Sequence, residues 1–431
     1  MTMEEKRKAK MRKGNMKLYP IYKMISLDWL FFYGIEVLFL MQIKHFTASK
    51  IVLASSFYAF FSIIVQVPAT MLIEQIGKRR GMIIGNLFTF LAMLCILICN
   101  QYYLYIVAKL LSAIGYGIKG ISESNFLTET LPQTERKSEI FSKIDGGGYS
   151  KFCYMGALSV FISGFLYDRN PYIPIIICLL FNAFSIIISM NFIEIGEQEV
   201  KKYDQKSLKR NIQDLKMGFG FIFQSSRLKA LLLMLGFIWG MIILISSYQE
   251  TQLKEMNIPS YYIGVILAAT QLLVGIFATK ANDFHRQHRN KTLTWISLGL
   301  AISAVILGGC MLLPISFSLQ LGIVLITFIV RSYGKGIYQV IKKRYLGNFT
   351  NAQILPKIYA ANSIISNMGR MLISFIGSIL LRYMSLAQAT LCSGIGFMMI
   401  TLLLAKYMKT KLGLPPDTYL KKDIEYHCER M

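Results

Sequence analysis

The chain has 431 residues, of which 54% are hydrophobic and only 16% charged, and its mean hydropathy is +0.47. A water-soluble protein of this length needs a more polar exterior, so the composition points to a membrane-embedded chain. The formal net charge of +24 raises nucleic-acid binding as a reading, but the Lys and Arg residues lie between apolar runs instead of forming one basic domain. They read as topogenic charge beside membrane helices, and no nucleic-acid partner is expected.

The apolar runs are roughly twenty residues long, enough to cross a ~30 Å hydrocarbon core as helix. They do not alternate apolar and polar residues as strands of a membrane barrel do, and lipid leaves helix as the only way to satisfy an open chain's backbone. In chain order, the first half carries expected spans near 24–44, 51–73, 82–99, 102–124, 152–168 and 171–193. The second half carries them near 230–250, 260–280, 292–313, 317–340, 358–381 and 385–407. The expected fold class is therefore an all-α membrane protein of about twelve helices. Its expected divisions are a half with a basic tail over 1–193, a connector over 194–229, a second half over 230–408 and a tail over 409–431.

Positive charge orients these spans. Lys6, Arg7, Lys8, Lys10, Arg12, Lys13, Lys17 and Lys23 precede the first span, and Lys78, Arg79, Arg80, Arg136, Lys137, Lys143 and Lys151 lie on the same side. The opposite loops hold little beyond Lys44, Lys50, Arg169, Lys254 and Arg382. The bias predicts both termini in the cytoplasm of a cell (plasma) membrane protein. The first twenty residues contain no apolar segment with a cleavage site, so no removable signal peptide is expected. Within the connector, Leu208, Ile212, Leu215, Phe219 and Ile222 recur at helical spacing and predict an amphipathic helix on the inner leaflet.

Three short matches recur at nearly one offset. Ile140–Ile144 corresponds to Ile354–Ile358, Phe161–Leu166 to Phe375–Leu380, and Lys119–Ile121 to Lys335–Ile337. They predict two related six-helix halves.

The charged residues inside the spans carry the chemistry. On the first span, Glu36 falls roughly 18 Å from the inner end at 1.5 Å per residue, and Asp28 roughly 6 Å. On the fourth span, Lys109, Ser112, Tyr116, Lys119 and Glu123 share one helical face, because residues three and four apart align. On the tenth, Arg331, Lys335, Tyr338 and Lys342 do the same. Lys119, Glu123, Lys335 and Lys342 lie near the inner end, where snorkelling accounts for them. Lys109, entering from the other side, reaches the depth of Glu36, and the two are expected to form a titratable pair in a low-dielectric site. A structural ion pair orienting two helices is the alternative. Arg370 on the eleventh span, Trp239 on the seventh and Gln271 on the eighth complete the candidate set.

Other chemistries find no support. The seven cysteines lie almost wholly within apolar runs and read as packing residues. The four histidines lie outside the spans, so neither a metal site nor a catalytic set can be assembled from them, and no enzyme activity is expected. No phosphate-binding loop occurs. No cofactor is expected, and a proton gradient is the driving force that remains.

The run Ala69–Arg80 ends the second span, and it resembles the loop signature of the major facilitator superfamily, Gly-x-Leu-Ala-Asp-Arg-x-Gly-Arg-Lys. Leu72, Gly77, Lys78 and Arg79 match it, Glu74 stands in place of Asp, and Thr70 and Gln75 depart from it. Lys109–Gly117 is similar to the family's Arg-x-x-x-Gly-x-Gly element, with Lys for Arg and Ala113 for the first Gly. Ile354–Ser363 resembles an element of efflux-type, drug:proton-antiporter-like members, but carries Tyr359-Ala-Ala361 where they have Arg-Ala-Thr.

The resemblance implies the major facilitator fold, two pseudo-symmetric bundles with alternating access around a midplane site. It also implies a latch made by Glu74, Gly77, Lys78 and Arg79. The function it implies is proton-coupled export of a small amphipathic molecule by a protein acting as a monomer in the lipid bilayer, with Glu36 as proton carrier and Lys109 tuning it. An importer of an anionic metabolite is the rival, since Lys109, Arg331 and Arg370 make the midplane basic. A non-transporting receptor or scaffold is the alternative of another class.

Overall fold

The computed structural model describes residues 3–132, 137–195, 222–348 and 355–412, with positions 213, 216, 217, 219 and 220 in addition. Most of the expected amphipathic connector and of the C-terminal tail falls outside them. Every regular element described is a helix. The helices are α1 Met3–Ser26, α2 Glu36–Gln42, α3 Ala48–Ile76, α4 Lys78–Ile98, α5 Tyr102–Thr130, α6 Lys137–Arg169 and α7 Ile173–Met190. They continue as α8 Ser226–Glu255, α9 Ser260–Thr279, α10 Ala281–His288, α11 Thr292–Leu312, α12 Phe317–Asn348, α13 Leu355–Tyr383 and α14 Leu386–Lys409. Local chemistry sets several ends. The Ser225 hydroxyl accepts the Leu228 N–H at 3.2 Å to start α8, and Ser385 and Gln388 form a reciprocal capping box at α14. Gly77, at φ 87°, makes the turn from α3 into α4, a backbone region open chiefly to glycine.

Ten of the described helices are long and apolar enough to cross a membrane. Two expected spans differ. The first is not one helix: α1 stops at Ser26, residues 27–35 run through turns, and α2 is a short helix beginning at Glu36. Counting depth at helical rise from the inner end to Glu36 therefore does not apply. The fifth lies at the end of α6, where Lys151 on one side and Asp168 and Arg169 on the other bracket a shorter apolar run.

The chain divides into two compact units, one of Met1–Phe46, Ile64–Asn211 and Asn257–Leu272, the other of Thr47–Ile63, Ile212–Met256 and Leu273–Met431. In the first, α1 packs on α6, and α4 on α5 and α7. In the second, α8 packs on α13, and α11 on α12 and α14. These are the same pairings shifted by six spans, as duplicated bundles require. With lipid outside, helices gain nothing from burying apolar surface against each other, so small residues at the crossings set the association. A Cβ on Gly85 would lie 2.9 Å from the Gly115 carbonyl and 2.9 Å from the Lys119 backbone nitrogen, closing α4 on α5. In the second unit Gly236 and Gly240, one turn apart on α8, admit Gly369 of α13, and a Cβ on Gly240 would lie 2.7 Å from the Gly369 carbonyl.

Candidate functional site

The interruption of the first span sits in the first unit and is made by its own side chains. Asp28 Oδ1 accepts the Trp29 N–H at 2.8 Å, which takes that donor from the helical ladder. Leu30, Phe32, Tyr33 and Ile35 then close successive turns, and Phe31 adopts φ 68°, a conformation that costs a non-glycine residue about 1–3 kcal/mol. Aromatic packing holds it: Phe31 meets Phe181 of α7 at 5.3 Å and Trp29 meets Tyr116 of α5 at 6.2 Å. Trp29, Leu30, Phe31, Phe32 and Ile35 are all buried. Irregular backbone at membrane depth is tolerated where protein buries it, and it characterises the discontinuous helices of transporter sites.

The polar face of α5 is laid along this break. Lys109 Nζ donates to Glu36 Oε1 at 2.7 Å, and the Tyr105 hydroxyl donates to the same oxygen at 3.1 Å. The pair is largely enclosed, with side chains 12% and 23% exposed, and the ammonium lies 5.0 Å from the Tyr105 ring. Glu36 also stands in the first turn of α2. About two helical turns along α5, Tyr116 donates to Asp28 Oδ1 at 3.3 Å. Next, Lys119 Nζ donates to the Ser26 carbonyl. Last, Glu123 Oε1 accepts from Tyr22 at 2.8 Å, whose oxygen accepts from Asn86 at 2.9 Å. Lys119 and Glu123 are 3% and 8% exposed, so the expectation that they snorkel to the surface is corrected: both turn into the bundle.

In the second unit Arg331 of α12 is 4% exposed. Its Nη1 donates to Gln252 of α8 at 3.2 Å and its Nε to Ser303 of α11 at 3.3 Å. Gln252 in turn donates to Thr390 of α14 at 3.1 Å. Arg331 Nη2 is buried without a hydrogen bond, and among the described residues no carboxylate comes within 4.0 Å of this guanidinium.

A family model described as Major Facilitator Superfamily matches residues 18–372, from within α1 to within α13. The chain belongs to the Major Facilitator Superfamily. It is accordingly a multi-pass membrane transporter of that type, with a small-molecule substrate, and not an enzyme. Among solved structures, the nucleoside transporter NupG superposes with a TM-score of 0.69 at 11% identity, covering 94% of this chain and 100% of that one. A D-xylose-proton symporter gives 0.69 at 12% identity over 93% and 98% of the two chains. A POT family transporter in complex with 5-aminolevulinic acid gives 0.68 at 12% identity over 93% and 96%. These likenesses establish the fold. No curated protein matches the sequence.

Within this facilitator chain, Asp28, Glu36, Lys109 and Tyr116 come together. Arg331, Arg370 and Trp239 belong to the second unit. Arg370 donates from Nε and Nη2 to Ser55 Oγ at 3.0 and 2.9 Å and covers the Tyr58 ring at 4.4 Å. Trp239 stacks on Tyr338 at 6.2 Å with Lys342 over it at 5.6 Å. Gln271 is half-buried on α9. At the facilitator loop, the Lys78 N–H donates to Glu194 at 2.8 Å, Lys78 Nζ pairs with Glu129, and Arg79 Nη2 donates to the Met190 carbonyl at 2.6 Å. Glu74 occupies the last turn of α3.

Sequence reasoning missed Tyr105, Tyr22, Ser26, Gln252 and Glu194. Tyr105 is the one with a signal, since it lies four residues before Lys109 and so on the same face of α5.

Proposed function

We propose that this facilitator is a proton-coupled exporter of a small amphipathic molecule, working as a monomer in the plasma membrane with both termini cytoplasmic. The observation that carries the coupling is the Glu36–Lys109 pair at the interrupted first span. A carboxylate sharing an enclosed site with an ammonium and a phenol exchanges its proton when the ammonium moves away, because an ion left alone there is costly. Export rests on the efflux-type resemblance of Ile354–Ser363, and the cytoplasmic termini rest on the distribution of Lys and Arg. The test uses a compound selected by thermal stabilisation of the purified protein, followed in proteoliposomes under an imposed pH gradient. Flux that collapses on adding a protonophore is expected, and flux indifferent to it overturns the coupling.

A second reading, import of an anionic metabolite, draws on Arg331, a buried guanidinium whose Nη2 has no hydrogen bond and which, among the described residues, has no carboxylate within 4.0 Å. It predicts that Arg331→Gln weakens the apparent affinity for an anionic stabilising compound by about tenfold or more, since hydrogen bonds to charged groups are worth about 1.5–3 kcal/mol. Thermal-shift titration reads this directly, and an unchanged midpoint removes the reading.

A further inference from the structure

Lys119 meets the interrupted span without taking part in the Glu36–Lys109 pair, and its surroundings are unusual for a lysine. It is 3% exposed, its stem lies against Gly85 of α4, and its ammonium donates to the Ser26 carbonyl at the last residue of α1. The same ammonium lies 4.5 Å from the Tyr116 ring centre. Among the described residues no carboxylate comes within 4.0 Å of it. Asp28 and Glu123 flank it and act on it through space, but Asp28 is engaged by Trp29 and Tyr116 and Glu123 by Tyr22. What receives this ammonium is therefore a helix end and an aromatic face.

A helix terminus leaves its last carbonyls without N–H partners and carries partial negative charge. Where a membrane helix is interrupted, such ends coordinate small cations, and an aromatic face adds attraction for an ammonium. Carbonyl, ring and flanking carboxylates together make a monovalent-cation site, and the group in it is attached to α5 by its own stem. We propose that Lys119 is a tethered cation filling a monovalent-cation site at the break in the first span, so that shortening the side chain opens that site to a free primary ammonium ion. The inference goes beyond the transport reading, and a stability readout tests it whether or not the protein moves protons.

The experiment measures thermal unfolding of the purified full-length protein in choline chloride and on titration with n-propylammonium chloride. Lys119→Ala is expected to unfold earlier than wild type in choline and to regain at least about 3 °C, saturably, with n-propylammonium. Wild type is expected not to respond, nor is Lys119→Met, whose uncharged stem still fills the space. The double variant Lys119→Ala/Asp28→Asn is expected to regain less than half as much. Tetramethylammonium, which has the charge and no N–H donor, is expected to be inert. Equal recovery by tetramethylammonium, an equal response of wild type, or no response of Lys119→Ala overturns the proposal. If Lys119→Ala does not survive extraction in choline, the readout becomes the yield of monodisperse protein. Yield restored by n-propylammonium supports the tethered cation, and yield not restored overturns it.

Discussion

Replacing Glu36 by Gln is expected to cut gradient-driven flux by at least about tenfold while leaving equilibrium exchange of the same compound measurable. The distinction follows from what the side chain does. Glutamine keeps the size and one oxygen acceptor for Lys109 and Tyr105, so the break and the binding surface persist. It removes the one carboxylate that, among the described residues, lies within ion-pair distance of Lys109, 2.7 Å in the structure. A coupling free energy of about 1–3 kcal/mol corresponds to about 5- to 150-fold, and this is what disappears. The variant leaves an enclosed ammonium unpaired, which destabilises. Glu36→Gln combined with Lys109→Met is therefore expected to unfold at a higher temperature than Glu36→Gln alone. If Glu36→Gln retains full gradient-driven flux, the pair is a structural strut between the first span and α5.

The second large effect is on folding. Gly369→Val is expected to remove most monodisperse protein, because a Cβ there would run into the Gly236 carbonyl of α8, a backbone atom that cannot yield by rotating a side chain. Overpacking of this kind costs about 1–3 kcal/mol and at times more, against a total stability of about 5–15 kcal/mol. Gly275→Val is the control, since a Cβ at Gly275 meets nothing within 4 Å, and it is expected to behave as wild type in size-exclusion chromatography. Equal recovery of the two variants contradicts the close α8–α13 crossing.

The helix inventory and the Glu36–Lys109 encounter were legible in the sequence for physical reasons. Apolar length forces helix in lipid, and charges inside a span must find each other. The interruption was not legible, because hydropathy averaged over Trp29–Tyr33 reads as an unbroken apolar run. The decision lies in one side chain: Asp28 takes the Trp29 N–H. Lys119 and Glu123 were misassigned to the membrane surface for a related reason. Their distance from the span end is consistent with snorkelling, and only packing shows that the Ser26 carbonyl and the Tyr22 hydroxyl receive them inside. Arg331 was visible as a deep charge, whereas its partners come from two other helices whose rotations no single-span pattern specifies.

Proton movement itself tests the central claim most directly. With wild-type protein in liposomes containing a luminal pH dye, adding the stabilising compound without a preset gradient is expected to shift luminal pH as the compound crosses, and Glu36→Gln vesicles are expected to show no shift. Transport of the compound by wild-type protein with no change in luminal pH would contradict the account.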